Sequence, residues 1–263
     1  VAGADDSHIH FLTASSTFHG LGGSADSGIK LHVDMTTSAG SLYLNGDLDN
    51  SSTDPDNNIR FTDDLVITSA TEMTMAATSG DLLPVGLLTL HAGSGIILEA
   101  TMQSTSLNKP LVINADHIAP GDGTLTINAP KLISSSHADV TVTAWDIDIA
   151  GYMKTGPDVT LHVHGSQSLQ TIGLGGTAQN MHITDTELQH MSAAGGLRVG
   201  GSAGGNMIVN GISAAGSNNI GLLISLVIAG DGSQITFSTA PSVFNQAAIQ
   251  ADNGILVQVD VST

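Results

Sequence analysis

The chain has 263 residues, with six Lys and Arg against 24 Asp and Glu, and a formal net charge of −18. A surface this acidic repels nucleic acid phosphates and anionic headgroups, and no run of about 18 apolar residues is present to span a bilayer. Hydrophobic residues at 41% exclude a disordered acidic tail, and the absence of Cys excludes a small disulfide-framed module.

The kinds of residue narrow the class further. Only Glu72, Glu99 and Glu187 are Glu, and the remaining acids are Asp. Asp suits turns, where its short side chain bonds nearby backbone, whereas Glu suits helices. Glycine is frequent at 31 residues and aromatics are scarce at 3%. An aliphatic core without aromatic bulk fits thin stacked layers better than a sandwich or a typical enzyme. Val1 to Asp6 do not read as a signal peptide, so any targeting segment is expected outside this chain.

Taken in chain order, short alternating runs predict strands. They fall at Leu42-Tyr43-Leu44, Leu88-Thr89-Leu90, Leu125-Thr126-Ile127, Val140-Thr141-Val142 and Asp146-Ile147-Asp148-Ile149. Val159-Thr160-Leu161-His162-Val163, Met181-His182-Ile183, Ile235-Thr236-Phe237 and Val257-Gln258-Val259 continue the series. Apolar residues two apart share one strand face and the polar residues between them share the other. Turns are expected at Gly93-Ser94-Gly95, Pro120-Gly121-Asp122-Gly123, Gly151, Gly216-Ser217-Asn218-Asn219 and Asp252-Asn253-Gly254. The one helical signal is the capping-box spacing from Thr184 to Glu187, enough for a turn or two.

The two ends of the chain resemble each other. Residues 1–37 align with residues 227–263 at a constant offset of 226, without a gap, and 16 of 37 positions are identical. The matches include Ile9/Ile235, Phe11/Phe237, Phe18/Phe244, Asp26/Asp252, Gly28/Gly254 and Asp34/Asp260. Compositional drift would match mainly small residues, whereas here two of the five Phe fall on two others. This predicts a tandem repeat of about 226 residues, with 1–37 the end of a preceding unit and 38–263 one complete unit.

Many short strands separated by turns suit a sandwich, a barrel or a solenoid. The unbroken spacing, the scarcity of aromatics and a repeat that must join end to end favour the solenoid. The expected fold is therefore all-β, an elongated parallel β-helix with essentially no α-helix. The run Gly173-Leu174-Gly175-Gly176-Thr177, followed by MHITDTELQHM (181–191), GLRVGG (196–201), NMIVNGISAAGSNNIG (206–221) and QADNGILVQVDV (250–261), resembles the tandem repeats of giant filamentous-haemagglutinin-like surface proteins. The resemblance covers most of residues 38–263 in style and is most specific from Gly173 to Asp260. It implies a right-handed β-helix, an extracellular or cell-surface location, and adhesive or filament roles; no functional residue carries over.

Four groups of residues invite chemistry. The segment holding Asp47, Asp49, Asp54 and Asp56 offers the closely spaced hard oxygens that Ca²⁺ takes, although it lacks the glycine and distant Glu of an EF-hand. His8/His10 and His162/His164 each share a strand face, as metal ligands would, but the repeat replaces His8 and His10 by Gln234 and Thr236. Gly200-Gly201-Ser202-Ala203-Gly204 satisfies a nucleophile-elbow pattern, yet a new strand follows it where a helix is required. Asp146 and Asp148 have the spacing of paired acids on a polysaccharide-cleaving β-helix, but only Arg60, Arg198 and four Lys are available to bind an acidic sugar. The expectation is a non-enzymatic module of a long surface fibre that assembles with identical units, in one continuous chain or as separate subunits. Surface glycans are a second candidate partner, and a carbohydrate-active or carbohydrate-binding β-helix is the alternative.

Overall fold

The computed structural model describes residues 1–54, 56–104 and 106–263. The chain winds as a parallel β-helix with three faces. The first is an eight-stranded sheet from Ile9–Phe11 to Met191–Ser192, and the second a ten-stranded sheet from Ser16–Phe18 to Ala247–Ala251. The third begins as six strands, from Leu21–Ser24 to Asp146–Ile149, and resumes as five, from Met181–Ile183 to Ile255–Val257. The chain visits the faces in turn and lays one strand on each per circuit, except that the circuit from Tyr152–Lys154 to Met191–Ser192 lays two on the third face, Ile172–Gly175 and Met181–Ile183. No helix among the described residues is long and apolar enough to cross a membrane.

Alternation decides which side chains turn inward. In Leu42–Asn45 both Leu42 and Leu44 are buried while Tyr43 faces solvent. Stacking then places like on like: on the second face Ile67, Leu90, Ile113, Val142, Val163 and Val199 are register partners, and all are fully buried. Each such side chain contributes about 1.5–3 kcal/mol through removal from water. The strands are uniform but the circuits are not. Ile9 pairs with Ile29 after a short circuit, whereas the circuit that brings Met153 to Met191 is nearly twice as long. The extra residues of the long circuit form a second strand on the third face, Met181–Ile183, and the helical turn that follows it, while Met153 and Met191 remain register partners.

The break in the third face has a local cause. Met181–Ile183 pairs with Ile172–Gly175, one step later in the stack, and does not complete a backbone ladder onto Asp146–Ile149. Two carboxylates take up the edge instead. Asp146 Oδ1 accepts from the backbone N–H of Ile147 at 2.9 Å and of His182 at 2.8 Å, and Glu187 Oε1 accepts from Ile149 at 3.1 Å. Glu187 also closes the capping box of α1 (Asp185–Gln189), with Glu187 N donating to Thr184 Oγ1 at 3.1 Å. The helical turn expected there is present. A second helix, α2 (Ala214–Ser217), takes up part of the expected Gly216-Ser217-Asn218-Asn219 turn. Ser213 caps it by accepting from Gly216 N at 3.0 Å, and Ala214 and Ala215 favour helix over an open turn.

The two alike ends fold alike. Phe11 packs edge-on against Phe18 at 6.2 Å and 86°, and Phe237 against Phe244 at 6.4 Å and 90°. Asp26 Oδ2 accepts from Asp6 N at 2.9 Å, and Asp252 Oδ2 from Gly232 N at 2.9 Å. Thr13 and Thr239 both adopt positive φ, at 77° and 70°. They do not lie on the same face, however. Ile9–Phe11 belongs to the first face and Ile235–Phe237 to the third; Leu21–Ser24 belongs to the third and Ala247–Ala251 to the second. Between Ile9 and Ile235 the chain completes eight circuits, reaching the first face again at Ile220, which bridges Ala193. It then crosses two further faces.

Candidate functional site

The chain leaves the third face after Leu42–Asn45 and re-enters the first at Ile59–Phe61, with the described residues 46–54 and 56–58 lying between. The four acids read there as calcium ligands go to different places. Asp47 is fully buried, with Oδ2 accepting from Ser79 N at 2.6 Å and Oδ1 meeting no donor among the described residues. Asp56 is engaged instead by Lys30 Nζ at 3.3 Å and Arg60 Nε at 3.1 Å. Partial burial works against its ionisation, but Asn58, Arg60 and Lys30 outweigh this and hold its carboxyl below the usual range.

Asp49 and Asp54 do come together, with a partner from the preceding circuit. Carboxylate oxygens of Asp26, Asp49 and Asp54 lie within 4.8 Å of one another, and so do those of Asp5, Asp6 and Asp54. Asp26 is 5% exposed, and Asp54 Oδ2 is shielded from water without a donor among the described residues. Loss of solvation, then the charges of Asp49, Asp26, Asp5 and Asp6, push the Asp54 carboxyl up. Sequence reading missed Asp5, Asp6 and Asp26. The signal available was the circuit length: Asp6 precedes Asp26 by the same interval at which Ile9 meets Ile29.

Two clefts lie on the outer faces. One, of about 530 Å³, holds the expected acid pair Asp146 and Asp148 together with Glu187, His182 and His190. Burial raises the Asp146 carboxyl despite hydrogen bonds from His182 and Ile147, with Glu187 adding to the rise. Asp146 and Glu187 are occupied in bridging the broken sheet, and the His190 ring nitrogen meets the Ile149 carbonyl at 2.9 Å.

The other cleft, of about 490 Å³, lies on the second face. Thr141, His162 and Arg198 line up across three neighbouring strands as its floor. Thr143 Oγ1 lies 3.2 Å from His164 Nε2 beside them, and the turn from Ser202 to Gly204 forms a wall. Burial pushes the His162 imidazole down; Arg198 and His164 add to this and Asp139 opposes it. The Gly-Gly-Ser-Ala-Gly pattern is the end of the strand Leu197–Gly201 and this turn, with the strand Met207–Asn210 and not a helix after it. His8 and His10 are exposed with rings 5.8 Å apart, and no histidine among the described residues joins a cluster of three ligand groups. Compared with protein-family models, curated proteins and solved structures, the chain matches none.

Proposed function

We propose that this chain is a repeat module of a long extracellular or cell-surface β-solenoid, with a mechanical and adhesive role and no catalytic one, whose partners are further copies of the same unit. Residues 1–37 are read as the end of one unit and 38–263 as the next. The supporting observation is that the two alike ends fold alike, with Phe11 edge-on to Phe18 and Phe237 edge-on to Phe244. Ile29 and Leu31 are 0% exposed because Ile59–Phe61 pairs over them, whereas their counterparts Ile255 and Val257 are 44% and 57% exposed. A following unit that begins as residue 38 does would cover Ile255 and Val257 as Ile59 and Phe61 cover Ile29 and Leu31.

The test is the mass of the native protein under denaturing conditions, with electron microscopy of undenatured material. Thin rods support the reading, with a mass many times 26.7 kDa if the units are covalently joined and near 26.7 kDa if they are separate subunits. Isolated particles of 26.7 kDa would overturn it.

Calcium at Asp26, Asp49 and Asp54 belongs to the same reading, because those acids join the coil of residues 1–37 to the coil that follows. Several like charges crowded together cost stability until a cation neutralises them. At 100-fold over its dissociation constant Ca²⁺ is expected to add about 2.7 kcal/mol, read as a rise in melting temperature of several degrees. Asp54→Asn is expected to abolish that rise while raising the melting temperature of the calcium-free chain. An unchanged melting temperature in millimolar Ca²⁺ removes calcium from the proposal.

A further inference from the structure

We propose that the cleft on the second face binds a sugar acid, with the Arg198 guanidinium taking the carboxylate and the Thr and Ser hydroxyls of the cleft taking the sugar hydroxyls. The inference does not depend on the rod reading, since it needs only the cleft. Its starting point is a charge without a partner. Lys30, Arg60 and Lys109 lie in ion pairs with Asp56 or Asp63, whereas Lys131, Lys154 and Arg198 have none among the described residues. Arg198 makes neither an ion pair nor a side-chain hydrogen bond among the described residues, and its Nε is shielded from water. In a chain of net charge −18 an acid partner would be easy to supply. The guanidinium lining the cleft has no protein acceptor among the described residues, and a planar carboxylate entering the cleft could satisfy such a group through two parallel hydrogen bonds.

The surroundings suit an anion with hydroxyl groups. His162 and His164 stand beside Arg198, and neither brings negative charge. The nearest acid influence on His162 is Asp139, whose Oδ1 is held by Thr160 N at 2.8 Å. Thr141 and Ser202 supply hydroxyls around the opening, Thr143 Oγ1 is shared with His164, and Ser166 Oγ already donates to Asp116 Oδ2. At about 490 Å³ the volume falls in the range of small-ligand sites, about 300–1,000 Å³. No Phe, Tyr or Trp is among the lining residues, which favours a hydrogen-bonded ligand over one stacked on a large ring.

The backbone keeps the space open. Gly200 has φ +84°, and a Cβ there would sit 2.4 Å from the Val227 carbonyl oxygen, so the strand can bend away only as glycine. Gly201 has no such constraint: a Cβ there would meet only His164 Cβ, at 3.9 Å. A larger residue at 201 therefore fills the cleft without straining the chain.

The experiment is a titration of the 263-residue chain with D-galacturonate and its linear trimer, followed by NMR and calorimetry, with D-glucose and acetate as controls. Saturable binding of the acid is expected, weakened at least tenfold by Arg198→Gln and by Gly201→Leu, with both controls weaker than the acid. Tighter binding of the trimer assigns the site to a glycan chain, and equal binding to a free or terminal acid; both uphold the proposal. It is overturned if the unaltered chain shows no saturable binding, if Arg198→Gln binds equally well, or if glucose or acetate matches the acid. Should Arg198→Gln disturb the fold, Gly201→Leu decides with Arg198 in place.

Discussion

Ile29→Asp is expected to destabilise the chain by at least about 4 kcal/mol, whereas Ile255→Asp, at the equivalent position, is expected to cost about 1 kcal/mol or less. Ile29 is fully buried between Ile9 and Ile59, so a carboxylate there loses its water and finds no donor. Ile255 pairs with Ile235 on one side only and keeps 44% of its surface exposed, so an aspartate there stays hydrated. Urea unfolding of the two variants reads the difference. Appending a second copy of residues 38–263 after Thr263 sharpens the test: in that longer chain Ile255→Asp is expected to cost as much as Ile29→Asp. If it stays harmless there, the following unit does not stack on this coil and the rod reading fails.

Phe237→Ala is expected to cost about 3–5 kcal/mol, the range for truncating a fully buried aromatic. Phe237 is completely buried and meets Phe244 edge-on, an arrangement that adds about 0.5–1.5 kcal/mol to the area it buries. The equivalent Phe11→Ala is expected to cost less than half as much, because Phe11 is only half-buried although its contact with Phe18 has the same geometry. Thermal unfolding of both variants would show whether covering by neighbouring coils or the aromatic pair itself carries the energy. Equal losses would assign it to the pair.

Much of the fold was legible because a β-helix writes its inside and outside in alternating residues. Val140-Thr141-Val142 and Leu125-Thr126-Ile127 are strands for that reason, with the Thr outward in each. Alternation overreaches at strand ends. Thr160 lies outside Leu161–Gly165, and the chain leaves the ladder after Val257, although Gln258 N still donates to Phe237 O at 2.9 Å. The likeness of the two ends was legible residue by residue, down to the two Phe pairs. The face exchange was not, because it depends on how many circuits intervene. Circuits as unequal as those from Ile9 to Ile29 and from Met153 to Met191 leave no fixed period to count.

The same irregularity hid the candidate sites. Thr141, His162 and Arg198 are neighbours in space but lie on three successive circuits of different length, so no motif joins them. Asp49 and Asp54 were legible as an acidic corner. Their neighbour Asp26 was not, since it reaches them only through stacking. Asp146 and Asp148 were correctly read as outward-facing, but the role of Asp146 as a substitute for ladder hydrogen bonds follows from a break in the sheet that alternation does not mark.

Eight circuits and two faces separate equivalent strands, so one unit of the proposed rod is not a whole number of turns. At about 4.8 Å per strand, each unit advances roughly 42 Å along the axis and arrives rotated by two-thirds of a turn. Orientation is restored only after three units, about 125 Å on. A fibre built this way has no front or back: whatever one unit displays on a given side, the next two display on the others. A surface meeting it from any direction would find every patch of the module repeated at a regular interval, as around a threefold screw axis.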